Sequence, residues 1–418
     1  MTTSTWRVGS WAAGVSLALT SAGCALAHER AGIGPITDGD TGSPTTSIDA
    51  SIDMALPPPD TSTQPVRDVD LLLLVDDSSG MSPRQQRLAA MLVGLIPALT
   101  TGTRADGSTF TRVRSLHLGI VSTDMGIGPI TGVPSCNPGF GDDGILLTAA
   151  VHPTMGCTGD YRPTYPDAVF SLDRTSSPEQ LAADVGCVAR LGTRGCGLEF
   201  PLESVLKALA PPPDVNGASS VAWTRPDYRP PIFAGNTFGH GTDPATNGAF
   251  LRPDSLLVIV LLTDEDDGSS ANYEIFSPTD PAFSAVELNV RATVFADQLF
   301  PVERYVDGLI GLRADPRNLA FVAITGVPLD APSRGLVDVL SDPRMLPQVD
   351  GAQRDRLVPV CNDESGPGVA VPAVRLTRLA IGLARAGAAS AVHSICHDDY
   401  AGAADAILDA VIARGSGR

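Results

Sequence analysis

The 418-residue chain is 43% hydrophobic, enough for a sizeable core, but its 42 Gly and 35 Pro exceed what regular elements accommodate, so one core decorated with long loops is expected. With 47 acidic residues against 29 basic ones and a formal charge of -18, no basic stripe is left to grip nucleic acid or anionic lipid. The one lysine, Lys207, lies between Leu206 and Ala208 with no Gly-rich run before it, which excludes a phosphate-cradling loop that ends in Gly-Lys.

Residues 1–23 read as an export signal, with Arg7 as the only charge, an apolar run from Val8 to Ala22 and small residues before Cys24. The run is too short and too interrupted to span a bilayer stably. Ser21-Ala22-Gly23-Cys24 resembles a lipobox, which implies cleavage before Cys24 and a diacylglycerol thioether on it. Ala25 is not the Asp that commonly retains lipoproteins in an inner membrane, so the outer membrane or cell surface is favoured. Residues 24–66 hold the anchor cysteine and a tether of Gly, Pro, Ser, Thr and Asp, too poor in apolar residues to fold.

Residues 67–414 then read as one domain, with insertions at about 127–176 and 211–253. Val69 to Val75 (VDLLLLV) is a nearly unbroken apolar run that stops at Asp76-Asp77-Ser78-Ser79-Gly80, the pattern of a strand buried on both faces. A helix follows with Ser82 as N-cap, Pro83 as its first residue and Gln85 as capping-box partner. Further strands are expected at Leu116–Val121 and Gly144–Val151, and helices at Pro178–Ala189, capped by Ser177 and Gln180, and at about Leu198–Leu209. Leu256 to Leu262 (LLVIVLL) is a second fully buried strand ending in Thr263-Asp264-Glu265-Asp266-Asp267. A helix near Glu287–Leu312, broken at Pro301, strands at Leu319–Thr325 and near Ala391–Ile395, and a helix from Tyr400 to Ala413 complete the series. Alternation of strand and helix implies an α/β fold, a mostly parallel central sheet with helices on both faces.

Six cysteines remain once Cys24 is set aside: Cys136, Cys157, Cys187, Cys196, Cys361 and Cys396. An even number in an exported chain points to disulfides, and no Cys-x-x-Cys pair supports a metal site. Sequence does not choose among the connectivities; sequential pairing, which closes short loops within each inserted region, is the expectation.

Loops at the carboxyl ends of adjacent strands converge, which places the acidic tips after Val75 and Leu262 together. Carboxylates and hydroxyls suit a hard divalent cation, Mg²⁺ first, with Ca²⁺ or Mn²⁺ as alternatives. The segment VDLLLLVDDSSG is similar to the first strand and DxSxS loop of von Willebrand factor type A domains, a Rossmann-like family with a metal-ion-dependent adhesion site. Asp76 and Ser78 match that loop, and Gly80 stands where the family has a serine. Thr193, in Gly192-Thr193-Arg194-Gly195-Cys196-Gly197, resembles the family's threonine, and Asp264 its aspartate after the fourth strand. The disulfide-bearing insertions resemble large exported bacterial lipoproteins of the family. The resemblance implies a cell-envelope protein, not an enzyme, that binds a protein partner whose acidic residue completes the coordination of a metal held by Asp76, Ser78, Thr193 and Asp264.

Other readings are a structural lipoprotein whose site has decayed, as Gly80 hints, and a metal-dependent hydrolase, which lacks a nameable general base. Thr123 and Asp124 compete with Thr193. Asn137 to Gly144 (NPGFGDDG) reads as a turn rather than a calcium loop, and His393 and His397 lack the Glu of a zinc protease motif. No Gly-x-Ser-x-Gly elbow occurs.

Overall fold

In the computed structural model, which describes residues 68–151 and 157–416, the two apolar runs form neighbouring central strands. These residues belong to one unit, Thr61–Arg418. The export signal, Cys24 and the tether lie outside the described residues.

The elements in chain order are β1 (Asp68–Val75), α1 (Ser82–Thr101), β2 (Ser115–Ser122), β3 (Phe170–Ser171), α2 (Pro178–Val188), α3 (Pro201–Leu209) and β4 (Leu256–Leu262). They continue with α4 (Arg291–Val294), α5 (Val302–Gly311), β5 (Leu319–Thr325), α6 (Leu336–Leu340), β6 (Cys361–Asn362), β7 (Val369–Ala370), α7 (Val374–Arg385), β8 (Ala389–Ser394) and α8 (Ala401–Gly415). Six strands make the main sheet in the order β3-β2-β1-β4-β5-β8, parallel except for β3, and β6 and β7 form a separate antiparallel pair. Every residue of β4 and β5 is buried, and of β1 all but Asp68, so apolar side chains leave both faces of the sheet. Two groups of helices cover it: α1 packs on α2 and α8, while α5 packs on α3 and α7, and α7 on α6.

Several expectations need correction. Gly144–Val151 is not a strand, because Leu147 N bonds to Ile120 O but Ile145 N, which would face the same strand, is taken by Asp142 O in a turn, so no ladder propagates. The two-residue β3 occupies that edge instead. Helix α1 has no side-chain cap from Ser82, and Gln85 is buried rather than boxed. Helix α3 begins at Pro201, since Glu199 O accepts from Gly268 N and Phe200 N donates to Thr123 O, which holds residues 199 and 200 outside the helix. The Glu287–Leu312 helix is broken into short turns and α4 before Pro301, and only α5 beyond it is regular. The cysteines pair as Cys136–Cys196, Cys157–Cys187 and Cys361–Cys396, so the sequential expectation fails for the first four. The physical reason is that the loops bearing Cys136 and Cys196 meet through Asp124, whose carboxylate accepts from Cys196 N.

One charge interrupts β1. Asp70 is fully buried and accepts from Arg252 N and Nε, both at 2.7 Å, and from Ser255 Oγ, with buried Arg313 3.9 Å away. Removing one member of a buried ionic group strands the rest. Asp70→Ala is therefore expected to cost about 3–5 kcal/mol, read as a lowered urea midpoint with unchanged slope.

Candidate functional site

The parallel register aligns Val75 with Ser122 on one side and with Leu262 on the other. The next residues, Asp76, Thr123 and Thr263, therefore emerge together where the core ends, and Asp76 N donates to Leu262 O at 2.9 Å. The Asp76 carboxylate is fully buried; Thr263 Oγ1 donates to its Oδ2 and Ser78 N to its Oδ1, each at 2.7 Å. Burial pushes the Asp76 carboxyl up, opposed by the hydrogen bonds from Thr263 and Ser78 and by the charge of Arg84.

Asp264 is the residue after Thr263, and its carboxylate is ion-paired with Arg84 of α1. Arg84 is itself buried and bridges to Asp363 and to Val369 O, both at 2.9 Å. Burial and the neighbouring Asp76 charge push Asp264 well up despite Arg84. Two more carboxyls join them. Glu199 is raised by burial and then by the charges of Glu265 and Asp76, and its Oε1 is buried with no hydrogen-bond partner. Glu265 is raised mainly by burial, with a hydrogen bond from Glu199 opposing and the Asp76 charge adding to it. Asp76, Asp264, Glu199 and Glu265 thus form one electrostatic cluster that a single guanidinium serves.

A second acidic group adjoins it. Burial, then the charges of Asp124, Asp76 and Asp142, push the Asp77 carboxyl up to about 8. Its Oδ1 is buried without a partner. Gly195 lies so close to that carboxylate that a Cβ there would sit 2.2 Å from Oδ1, so only glycine fits.

Of the expected site residues, Asp76, Ser78 and Asp264 are brought to the same edge. Gly80 is exposed at φ 102°, in the left-handed region that favours glycine over serine. Thr193 is exposed; its loop is held by Gln85, which bonds to Gly192 N and O and to Asp76 O. At the strand tips the threonines are Thr263 and Thr123, and Thr123 Oγ1 is buried and unpartnered. Glu199 and Arg84 escape sequence reasoning: Glu199 falls at the start of the helix expected from about Leu198, and nothing local to Arg84 marks its partners Asp264 and Asp363.

Among the described residues, no three His, Cys, Asp or Glu side chains stand in an arrangement that could hold a metal ion. A cation at these tips would instead be held by Asp76 and the Ser78 hydroxyl, with Asp264 shared between it and Arg84. That all-oxygen set, beside an orphaned Glu199 oxygen, fits a hard divalent ion. The two histidines belong elsewhere: His397 bonds to Leu329 O and Glu364, and burial pushes His393 down to about 4. No family model matches this chain, and no curated protein matches it.

The raised Asp77 carboxyl has a direct consequence for stability. A carboxyl raised on folding keeps its proton in the native state while the unfolded chain has lost it, so stability falls as pH rises through that interval. In metal-free buffer the urea midpoint should fall between about pH 4 and pH 8. Asp77→Asn should make that fall shallower, and identical profiles would refute the assignment.

Proposed function

We propose that this chain is an exported cell-envelope lipoprotein whose α/β domain is of the von Willebrand factor A type and binds a protein partner through a divalent cation. It works as a binding module and not as an enzyme. Asp76, Ser78 and Asp264 hold the ion, Mg²⁺ before Ca²⁺ or Mn²⁺, and an acidic side chain of the partner completes its coordination. Thr193 belongs to the same proposal only if its loop moves inward. The observation that carries the reading is the contact between the two strand tips, where Thr263, the neighbour of Asp264, donates to the buried Asp76 carboxylate. An ion so placed would polarise and orient a partner's carboxylate, while Thr263 and Ser78 N fix the Asp76 oxygens in advance of binding.

One observation favours a second reading. Arg84 already neutralises Asp264, and a resident guanidinium can replace a metal as a structural charge. In that case the domain is a structural lipoprotein with a decayed site.

Calorimetric titration of the mature chain in detergent micelles with Mg²⁺ and Mn²⁺ separates the two. The first reading expects saturable heat that Asp76→Ala abolishes, and the second expects none. The location is tested separately. Among the described residues no helix is long and apolar enough to cross a membrane. The proposed hold on the membrane is the lipid at Cys24. Cys24→Ser should move the exported protein from the membrane pellet to the soluble fraction, and retention in the pellet would exclude a lipid anchor.

A further inference from the structure

Above the Asp76 network the carboxyl edge of the sheet opens into a cleft of about 800 Å³, with Ser78 and Asp264 in its lining. Six lining side chains are carboxylates, Glu199, Asp264, Glu265, Glu287, Asp350 and Asp355, against one guanidinium, Arg356. Arg356 stands 3.8 Å from Asp355, and Arg84 serves Asp264. Among the described residues Glu199, Glu265, Glu287 and Asp350 have no ion-pair partner.

Acidic surface is common in a chain of charge -18, and Glu199 sets this cleft apart. The residue is in the lining and only 3% exposed, and while its carboxyl shares a hydrogen bond with Glu265, Oε1 meets no donor. A buried carboxyl oxygen without a donor is costly, and a donor arriving from outside removes that cost. The walls contribute apolar surface from Leu288, Leu357 and Val369, suited to the methylene stem of a long basic side chain. An arginine fork matches adjacent carboxyls better than a lysine point charge does. The volume exceeds that of one side chain, which leaves room for a stretch of peptide.

We propose that this cleft receives an arginine-bearing segment of a protein partner, with Glu199 and Glu265 accepting from its guanidinium and Glu287 and Asp355 supplying attraction at the rim. The proposal rests on reading the edge as a protein-binding site and adds the sign of the partner's charge. A partner that offered only an acidic residue to a metal would meet a repulsive rim, and a neighbouring basic residue turns that repulsion into attraction.

The test is fluorescence anisotropy of a labelled, acetylated octapeptide alternating Arg and Gly, titrated with the full mature chain in EDTA at low salt. Saturable binding is expected. Glu265→Gln should weaken it about tenfold or more, as should the exposed pair Glu287→Gln with Asp355→Asn, which leaves the buried structure untouched. Asp173→Asn, an exposed carboxylate outside the cleft, should change it by less than about twofold. Equal affinity for all variants would assign binding to overall negative charge and overturn the proposal. Spermine binding as tightly as the peptide would also overturn it, by assigning the cleft to a small polyamine. The metal reading is judged apart, by the calorimetric cation heat: peptide binding without that heat removes the metal and keeps the basic partner, and heat without peptide binding does the reverse.

Discussion

The site depends on one constraint, the pairing of two strands that have no solvent-facing side. β1 and β4 lie side by side at the point where the strand order turns outward in both directions, and neither has an exposed residue. Polar chemistry can begin only where both strands stop. Because their last residues, Val75 and Leu262, are in register, it begins for both at the same level. Asp76 then emerges into protein rather than water and is satisfied by the adjoining Thr263 and by Ser78 N. Its carboxylate is preorganised by strand pairing, and loop composition comes second.

The loops around this edge are tied to it by covalent and ionic links. Cys136–Cys196 joins the loop after β2 to the one that delivers Glu199, over a small apolar cluster that includes Met125, Ile127, Leu198, Phe200 and Phe276. Cys361–Cys396 joins β6 to the end of β8, two residues from Asp363, the second carboxylate on Arg84. The crosslinks thus restrain the walls of the cleft and the ion pair beneath it, where apolar burial alone would be thin. Such restraint keeps a concave site open in loops rich in Gly and Pro.

Much of this was legible in the sequence, and the failures share a cause. β1, β4 and β5 announce themselves because a strand buried on both faces must be almost wholly apolar, and α2 because Ser177 caps it by accepting from Gln180 N. The meeting of Asp76 with Thr263 and Asp264 follows from those strands alone. α7 was missed although Leu376, Leu379, Ala380 and Leu383 recur at helical spacing, since its arginines mask the apolar face. Glu199 and Arg84 could not be placed, because their roles depend on partners at residues 265, 264 and 363 that no local pattern specifies. The crossing of Cys136 and Cys157 to their partners is likewise a property of the folded loops and not of spacing.

The same electrostatics link the two proposals. Four carboxyls, two buried (Asp76 and Glu199) and two half-buried (Asp264 and Glu265), cannot all be ionised beside one guanidinium at low dielectric without compensation, which is why all four are raised. Compensation can come from protons held by the glutamates, from Arg84, from a divalent ion at the tips, or from a cationic group entering the cleft. These compete for one deficit of positive charge, so any one that binds lowers the demand for the others and displaces protons. On the proposed reading, a partner that brings both an acidic ligand for the ion and an arginine for Glu199 and Glu265 relieves the deficit without expelling either cation. A partner with only one of the two would have to work against what is already there.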